Sequence, residues 1–261
     1  MGDMALLDRN TSHESATRPL RAVVVPIDGT DDSARAVGLA TRLAATLDIE
    51  LVPVSVIESF RHDASTRVER LRELLADVPS SVERRIVQAR FPARAIAEES
   101  IDGIVCLATT SQPFDDDGFH HSVVDQLVAS ATSPVIVLGP KCKPDPELSR
   151  VVVAIDPEHD QKGLVYWATQ LGYHLSIPVE HVHVAETAPA GLGSKVRHDP
   201  LPPGQSVADR LIELAEGALL VMGSHGRTGF SRLVQGSVGA AVLPTATQPV
   251  MILGPNASRP I

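Results

Sequence analysis

The sequence predicts a doubly wound α/β fold, present twice in tandem with the second copy shortened. Three observations carry this reading. The chain repeats itself: VVVPIDG at 23–29 returns as VVVAIDP at 151–157, and ATSPVIVLGP at 131–140 returns as ATQPVMILGP at 246–255. Within each copy, short apolar runs alternate with helical patterns, which is the mark of βαβ units and a mainly parallel sheet. The second pair of repeats lies closer together than the first by 13 residues, about one short helix with its turn, so the second copy lacks a piece near its middle. Right-handed crossovers then place helices on both faces of a sheet of about five strands in each copy.

The elements follow in order. Residues 1–20 form a polar N-terminal tail with Asp, Asn, Ser, His and Glu and without the apolar core of a signal peptide. The first domain, 21–140, predicts a strand at 23–28, a helix at 31–47, a strand at 50–57, a charged amphipathic helix at 66–76 and a strand at 81–88. A short helix at 92–99, a strand at 104–109, a helix at 123–131 and a closing strand at 134–138 complete it. The stretch GPKCKPDPELS, with three prolines, is the linking segment, and 141–149 is set as the linker. The second domain, 150–261, predicts a strand at 151–156, a helix at 161–175 and a strand at 179–184. The Pro- and Gly-rich stretch 187–205 stands where a helix, and the third strand with it, would be lost. A helix at 207–216, a strand at 218–222, a helix from about 236 and a strand at 249–253 close the chain.

Composition bounds the function. The 261 residues are 43% hydrophobic and 21% charged, an ordinary globular mix. Aromatics are 3% and the formal net charge is −9, which disfavours stacking platforms for single-stranded nucleic acid, non-specific DNA binding and peripheral membrane attachment. No apolar run approaches the roughly 20 residues of a membrane span. Cys106 and Cys142 carry no CxxC or metal-ligand spacing, so two free thiols and a cytoplasmic location are expected.

The chemistry concentrates in GSHGRTGFSRLVQGSVG at 223–239, directly after a predicted strand. Gly223 and Gly226 are two residues apart, nine residues follow, and then come Gly236 and Ser237. Glycine lets backbone leave a strand tightly and lets a ligand approach where a Cβ would stand. The following helix offers free N–H groups and the Ser237 hydroxyl to a phosphate. No Gly-Lys-Ser/Thr follows and GxGxxG is absent, so neither a Walker A loop nor the dinucleotide fingerprint is present.

This G-x2-G-x9-G-S pattern resembles the ATP-binding motif of the universal stress protein family. Asp156 at the end of the first strand, His183-Val184 at the end of the second, and a Pro-Val-x-x-x-Gly strand after the motif agree with it. The resemblance implies two tandem Rossmann-like domains of the adenine nucleotide alpha hydrolase type. It implies ATP, with Mg2+ offsetting the triphosphate charge, held by Asp156 on the adenine side, by backbone at Val184, and by Met222, Gly223, Gly226, Gly236, Ser237 and Val238 around phosphate and ribose. Arg227 and Arg232 lie in the loop and either pair with phosphate or stand in solvent. The resemblance also implies that the closing strands of the two domains pair across an intrachain pseudo-twofold axis, as in a homodimer of single domains, with a further homodimer open to the whole chain.

The first copy departs from the pattern. Aligned on the ATSPVIVLGP repeat, Gly223, Gly226 and Gly236 correspond to Ala108, Ser111 and His121, while Ser122 stands at the place of Ser237. Asp115, Asp116 and Asp117 add charge that repels phosphate. Asp28 is retained and reads as a helix cap. One nucleotide per chain is therefore expected. The function expected is a stress-response regulatory module that holds ATP with little turnover and has no catalytic residue. His225 and Ser237, the candidates for phosphoryl chemistry, have no evident triad partner. The alternatives are an ATP-using phosphoryl or adenylyl transferase or slow ATPase, and a ligand-free partner-binding protein favoured by loss of a pocket wall in 187–205. His181 and His183 share a strand face and could join His225 on zinc, but no closed ligand spacing is visible, so no metal is expected. Tyr166 and Trp167 read as packing residues, and Cys106 as an inert core thiol.

Overall fold

The computed structural model describes residues 20–57, 64–109, 123–159, 161–224 and 237–257. The first half runs β1 (Ala22–Pro26), α1 (Asp31–Ala34), α2 (Val37–Leu47), β2 (Glu50–Ile57), α3 (Ala64–Leu74), β3 (Arg85–Gln88), α4 (Pro92–Glu99), β4 (Gly103–Ala108), α5 (Val123–Ser130) and β5 (Val135–Leu138). The second half runs β6 (Arg150–Ala154), α6 (Lys162–Leu175), β7 (Val179–Ala185), β8 (Val196–Pro200), α7 (Val207–Leu214), β9 (Ala218–Gly223), α8 (Ser237–Val242) and β10 (Val250–Leu253).

All ten strands form one sheet in the order β3-β2-β1-β4-β5-β10-β9-β6-β7-β8. The order reads the same from both ends: each half is 3-2-1-4-5 in its own numbering, the doubly wound arrangement. Neighbours within a half are parallel, and the halves meet where β5 and β10 run antiparallel, Val137 opposite Val250 and Val135 opposite Ile252. The two closing strands therefore pair, as the resemblance implies, and neither is left as an open edge.

Both faces of the sheet are packed across the junction. One core joins Val24, Val52, Val105 and Val137 to Val152, Val182, Leu220 and Val250, under Ile96 of α4, Leu127 of α5, Leu211 of α7 and Val242 of α8. The other joins Val23, Val25, Ile104 and Ile136 to Val151, Leu219 and Met251, under Leu39 and Leu43 of α2, Leu71 of α3 and Trp167 and Leu171 of α6. Alternate residues of each strand serve opposite faces, the period-2 pattern of a sheet covered on both sides. Trp167 is buried, as a packing residue should be.

The repeat extends to details. Asp48 and Ser176 occupy equivalent places in the two copies, and both adopt left-handed backbone (φ 54° and 55°) where α2 and α6 end. Gly139 and Gly254 are the glycines of the two matched ATSPVIVLGP and ATQPVMILGP segments and follow β5 and β10. A Cβ on Gly139 would strike the backbone oxygen of Leu243, and one on Gly254 would strike that of Val128. Val128 and Leu243 are themselves equivalent, each standing three residues before its copy of that segment. Each half thus presents its glycine to the other half's helix region. This self-complementary contact is the logic of a twofold interface.

Three predicted elements change. The helix expected over 31–47 is two pieces: Thr30 caps α1 by accepting from the Ser33 N–H at 3.2 Å, the Arg35 N–H closes it on the Asp32 carbonyl at 3.1 Å, and α2 starts at Val37. The strand at 81–88 is confined to Arg85–Gln88. In the shortened region only the helix is missing: residues 186–195 join β7 to β8 through turns, while β8 keeps its parallel pairing with β7, His183 opposite His198.

Candidate functional site

In a 3-2-1-4-5 sheet the chain leaves the first strand to one side and returns to the fourth on the other, which opens a crevice beyond the carboxyl ends of those two strands. In the second half these are β6 and β9. Val153 is opposite Val221, and Ala154 is opposite Val182 of β7. Followed outward, these registers bring Asp156, Val184 and Ser224 to one level at the ends of three adjacent strands.

Asp156 lies just past β6. Its Oδ1 accepts from the Glu158 backbone N–H at 3.0 Å and its Oδ2 lies 3.0 Å from His159 Nδ1. The first contact is an Asx-type turn; the second sets a carboxylate beside an imidazole, with both side chains about a third or more exposed (41% and 35%). His159 was not among the sequence candidates, although its place three residues after Asp156 was the available signal.

His183 Nδ1 lies 2.9 Å from the Ile155 carbonyl, which makes it the donor and ties the ends of β6 and β7 together. Val184 and Met222 bury their side chains in the core shared with α7. What they turn toward the crevice is backbone. Gly223 ends β9, and the Ser224 N–H donates to the Leu253 carbonyl at 2.8 Å, fixing the direction in which the loop departs. Ser237 is the first residue of α8, and Val238 is half-buried against the core. Gly226, Arg227, Gly236, His225 and Arg232 lie outside the described residues, so of the predicted loop contacts only the two ends are placed.

In the first half the corresponding strand ends are differently used. Asp28 Oδ1 accepts from the Thr30 N–H at 2.9 Å and from its hydroxyl at 2.6 Å, closing a turn that leads into α1. Arg70 of α3 reaches back to Asp31 at 2.6 Å and to the Gly29 carbonyl at 3.3 Å. Asp31 holds the position in the first copy that His159 holds in the second, each three residues after its strand-end Asp. So where the first half ties a helix over the strand end, the second pairs His159 with Asp156. Residues 110–122, with Ser111, Asp115–Asp117, His121 and Ser122, lie outside the described residues.

Cys106 and Cys142 are both buried and free. Burial raises the Cys142 thiol to about 11 and the Cys106 thiol further still, so neither is a ready nucleophile near neutral pH. Among the described residues no group of three or more His, Cys, Asp or Glu side chains could hold a metal ion, and no helix is long and apolar enough to cross a membrane.

A scan against protein-family models matches residues 202–254 to the universal stress protein family. No curated protein sequence matches the chain. Solved structures do. A universal stress protein from Archaeoglobus fulgidus DSM 4304 is 15% identical, covers 90% of this chain and 97% of its own, and superposes with a TM-score of 0.65. A putative universal stress protein from Pseudomonas aeruginosa UCBPP-PA14 is 17% identical over 91% of this chain and 94% of its own, with a TM-score of 0.58. A universal stress protein in complex with cAMP is 20% identical and aligns with 46% of this chain, with a TM-score of 0.37. The second half of the chain thus matches the universal stress protein family over residues 202–254, and 90% of the chain superposes on the fold of a solved universal stress protein.

Proposed function

We propose that the chain is a stress-response regulatory module that binds ATP in the crevice between β6 and β9 of its second half and turns it over slowly or not at all. The observation that carries this is the placement of Asp156, Val184 and Gly223 at the carboxyl ends of neighbouring strands at the point where the strand order reverses. Asp156 suits the exocyclic amine of adenine, provided that it exchanges His159 for the ligand. Val184 and Met222 offer main-chain groups because their side chains are committed to the core. Gly223, Gly226, Arg227, Gly236, Ser237 and Val238 would surround ribose and phosphates, with Mg2+ held chiefly by the phosphates themselves.

Slow turnover follows from what phosphoryl transfer requires: an in-line nucleophile, an oriented water and focused positive charge on the transferring group. The sequence places no lysine in the glycine motif. The carboxylate–imidazole pair Asp156–His159 sits at the β6 end, on the side proposed for adenine. A site of this kind binds the ground state without favouring the transition state, so affinity does not become rate. Turnover well below the roughly 1–10³ s⁻¹ of typical enzymes is expected.

The test is a melting experiment on the full chain with and without Mg-ATP. Ligand at 100 times its dissociation constant stabilises a protein by about 2.7 kcal/mol. Gly236→Val, which places a branched side chain where phosphate would lie, should abolish that shift. A full ATP-induced shift in Gly236→Val would place the nucleotide elsewhere. Phosphate release near 1 s⁻¹ that disappears in His225→Ala or Ser237→Ala would make the protein an ATP-using enzyme.

A further inference from the structure

The candidate crevice holds one contact without a counterpart in the first half, and it sits on the oxygen a ligand would need. In both copies the strand-end aspartate spends Oδ1 on a turn: Asp28 Oδ1 accepts from the Thr30 N–H at 2.9 Å, and Asp156 Oδ1 from the Glu158 N–H at 3.0 Å. In the second copy Oδ2 meets His159 Nδ1 at 3.0 Å. The backbone arranges this meeting, since the His159 N–H donates to the Asp156 carbonyl at 3.2 Å and the turn so closed folds the ring back onto the carboxylate. At the same place in the first copy stands Asp31, which pairs with Arg70 at 2.6 Å.

An ionised carboxylate only accepts, so Nδ1 is the donor of this contact whether the ring is neutral or charged. Protonation nevertheless changes its kind. A neutral imidazole gives an ordinary hydrogen bond, and a protonated one gives an ion pair with a charge-assisted bond. Imidazole is the side chain whose charge changes between about pH 5 and 8. The exocyclic amine of adenine is a neutral donor, so it competes evenly with the neutral ring and unevenly with the charged one. The pair is partly open to water, which lets the ring leave and limits the ion pair to the worth of a surface bridge. The other titratable groups that the described elements bring to this strand end are Glu158, Lys162 in the first turn of α6, His183 of β7 and Glu186 just past it. Glu158, Lys162 and Glu186 are exposed, where salt screens them, and His183 has its Nδ1 on the Ile155 carbonyl.

We propose that His159 is a proton-operated latch on the nucleotide site: when protonated it holds Asp156 and weakens adenine binding, and when neutral it yields the carboxylate to the ligand. The inference rests on the nucleotide reading above and adds the regulation of that site. Acidification then lowers nucleotide occupancy without any change in nucleotide concentration. By reciprocity, bound adenine favours the neutral ring, so binding at acidic pH expels protons from the protein. His159 is a positioning residue in this scheme, since it acts through Asp156.

The test measures the Mg-ATP affinity of the full chain from about pH 5.5 to 8 for wild type and for His159→Gln, which keeps a neutral donor and cannot take up a proton. The phosphates of ATP titrate in this range as well, but equally for both proteins, so the readout is the ratio of the wild-type to the variant dissociation constant. That ratio should reach about threefold to fivefold at the acidic end, the size of an exposed ion pair, and fall toward one at the alkaline end. A ratio that stays flat overturns the latch and leaves the nucleotide site standing. No ATP binding by wild type at any pH overturns the nucleotide reading and the latch with it. Should the variant fail to fold, the His159 ring ¹⁵N signals of wild type decide. At acidic pH, saturating ATP should move them from the charged toward the neutral form, and signals unmoved by bound ATP refute the latch.

Discussion

The two halves of this chain differ most where a ligand would sit and least where they touch. Both carry a β-strand followed by a glycine at the junction, and both set that glycine against the backbone of the other half, Gly139 on Leu243 and Gly254 on Val128. At the strand ends they part. The first half has α3, with Arg70 reaching back to Asp31 and Gly29, and has Ala108 where β9 ends in Gly223. The second half has the glycines, no helix between β7 and β8, and three histidines on the face left without one. A joint sheet needs both partners to present the same contact. A nucleotide site needs only one half to keep its loop open, and the other can then be closed over by a helix and its ion pairs.

That comparison can be broken most severely at the junction. Gly254→Ala and Gly139→Ala each force a Cβ into a backbone carbonyl, which cannot move aside as a side chain would. Both should destabilise the fold by about 3 kcal/mol or more, and by similar amounts if the contact is as symmetric as its register. Denaturant melts measure this. A wild-type midpoint for either variant would mean that the junction is not the shared element.

A smaller effect should separate the halves. Arg35, whose side chain is 15% exposed, donates to the carbonyls of Thr109 at 3.4 Å and Gly139 at 2.9 Å, and also to that of Cys142 in the linker. Its counterpart in the second copy, aligned on VVVPIDG and VVVAIDP, is Gly163, so only the first half is strapped to the linker this way. Arg35→Ala should cost about 2 kcal/mol, since it orphans carbonyls bonded to a charged donor. Limited proteolysis should then cut within 141–149 faster than in wild type; unchanged cutting and stability would show the strap to be idle.

Around neutral pH the thiols add nothing to this contrast, and their effect is confined to a slope at alkaline pH. The folded state holds the Cys142 thiol protonated up to about 11 and Cys106 further, while an unfolded thiol ionises near pH 8.5. The unfolded state therefore loses protons first. Stability is full below about pH 8.5 and falls as the pH climbs toward 11, by at most about 1.4 kcal/mol per pH unit for each thiol. Cys142→Ser should flatten part of that slope, and an unchanged slope would place its origin in other groups.

Much of this was legible in the sequence because repetition turns one chain into two readings of the same pattern. The strand at 50–57 and the helix at 92–99 were set to the residue by apolar periodicity and by Pro92 at the first helical position. The pairing of β5 with β10 is what the family resemblance implies; the repeat by itself marks only the two strands as equivalent. Three things were hidden. The break at Arg35–Ala36 between α1 and α2 leaves no mark in the apolar pattern, which runs on at helical spacing through both pieces. The survival of β8 in the shortened region depends on pairing with β7, since VRHDP has little strand character of its own. The meeting of His183 with His198 needs the parallel register, which no local spacing encodes.

On the function proposed above, one half binds nucleotide and the other does not. Calorimetric titration of the full chain with Mg-ATP tests it most directly. One ATP per chain, abolished by Gly236→Val and weakened by Ser237→Ala, is the result predicted. Two equivalent sites, or binding that survives Gly236→Val undiminished, would contradict it.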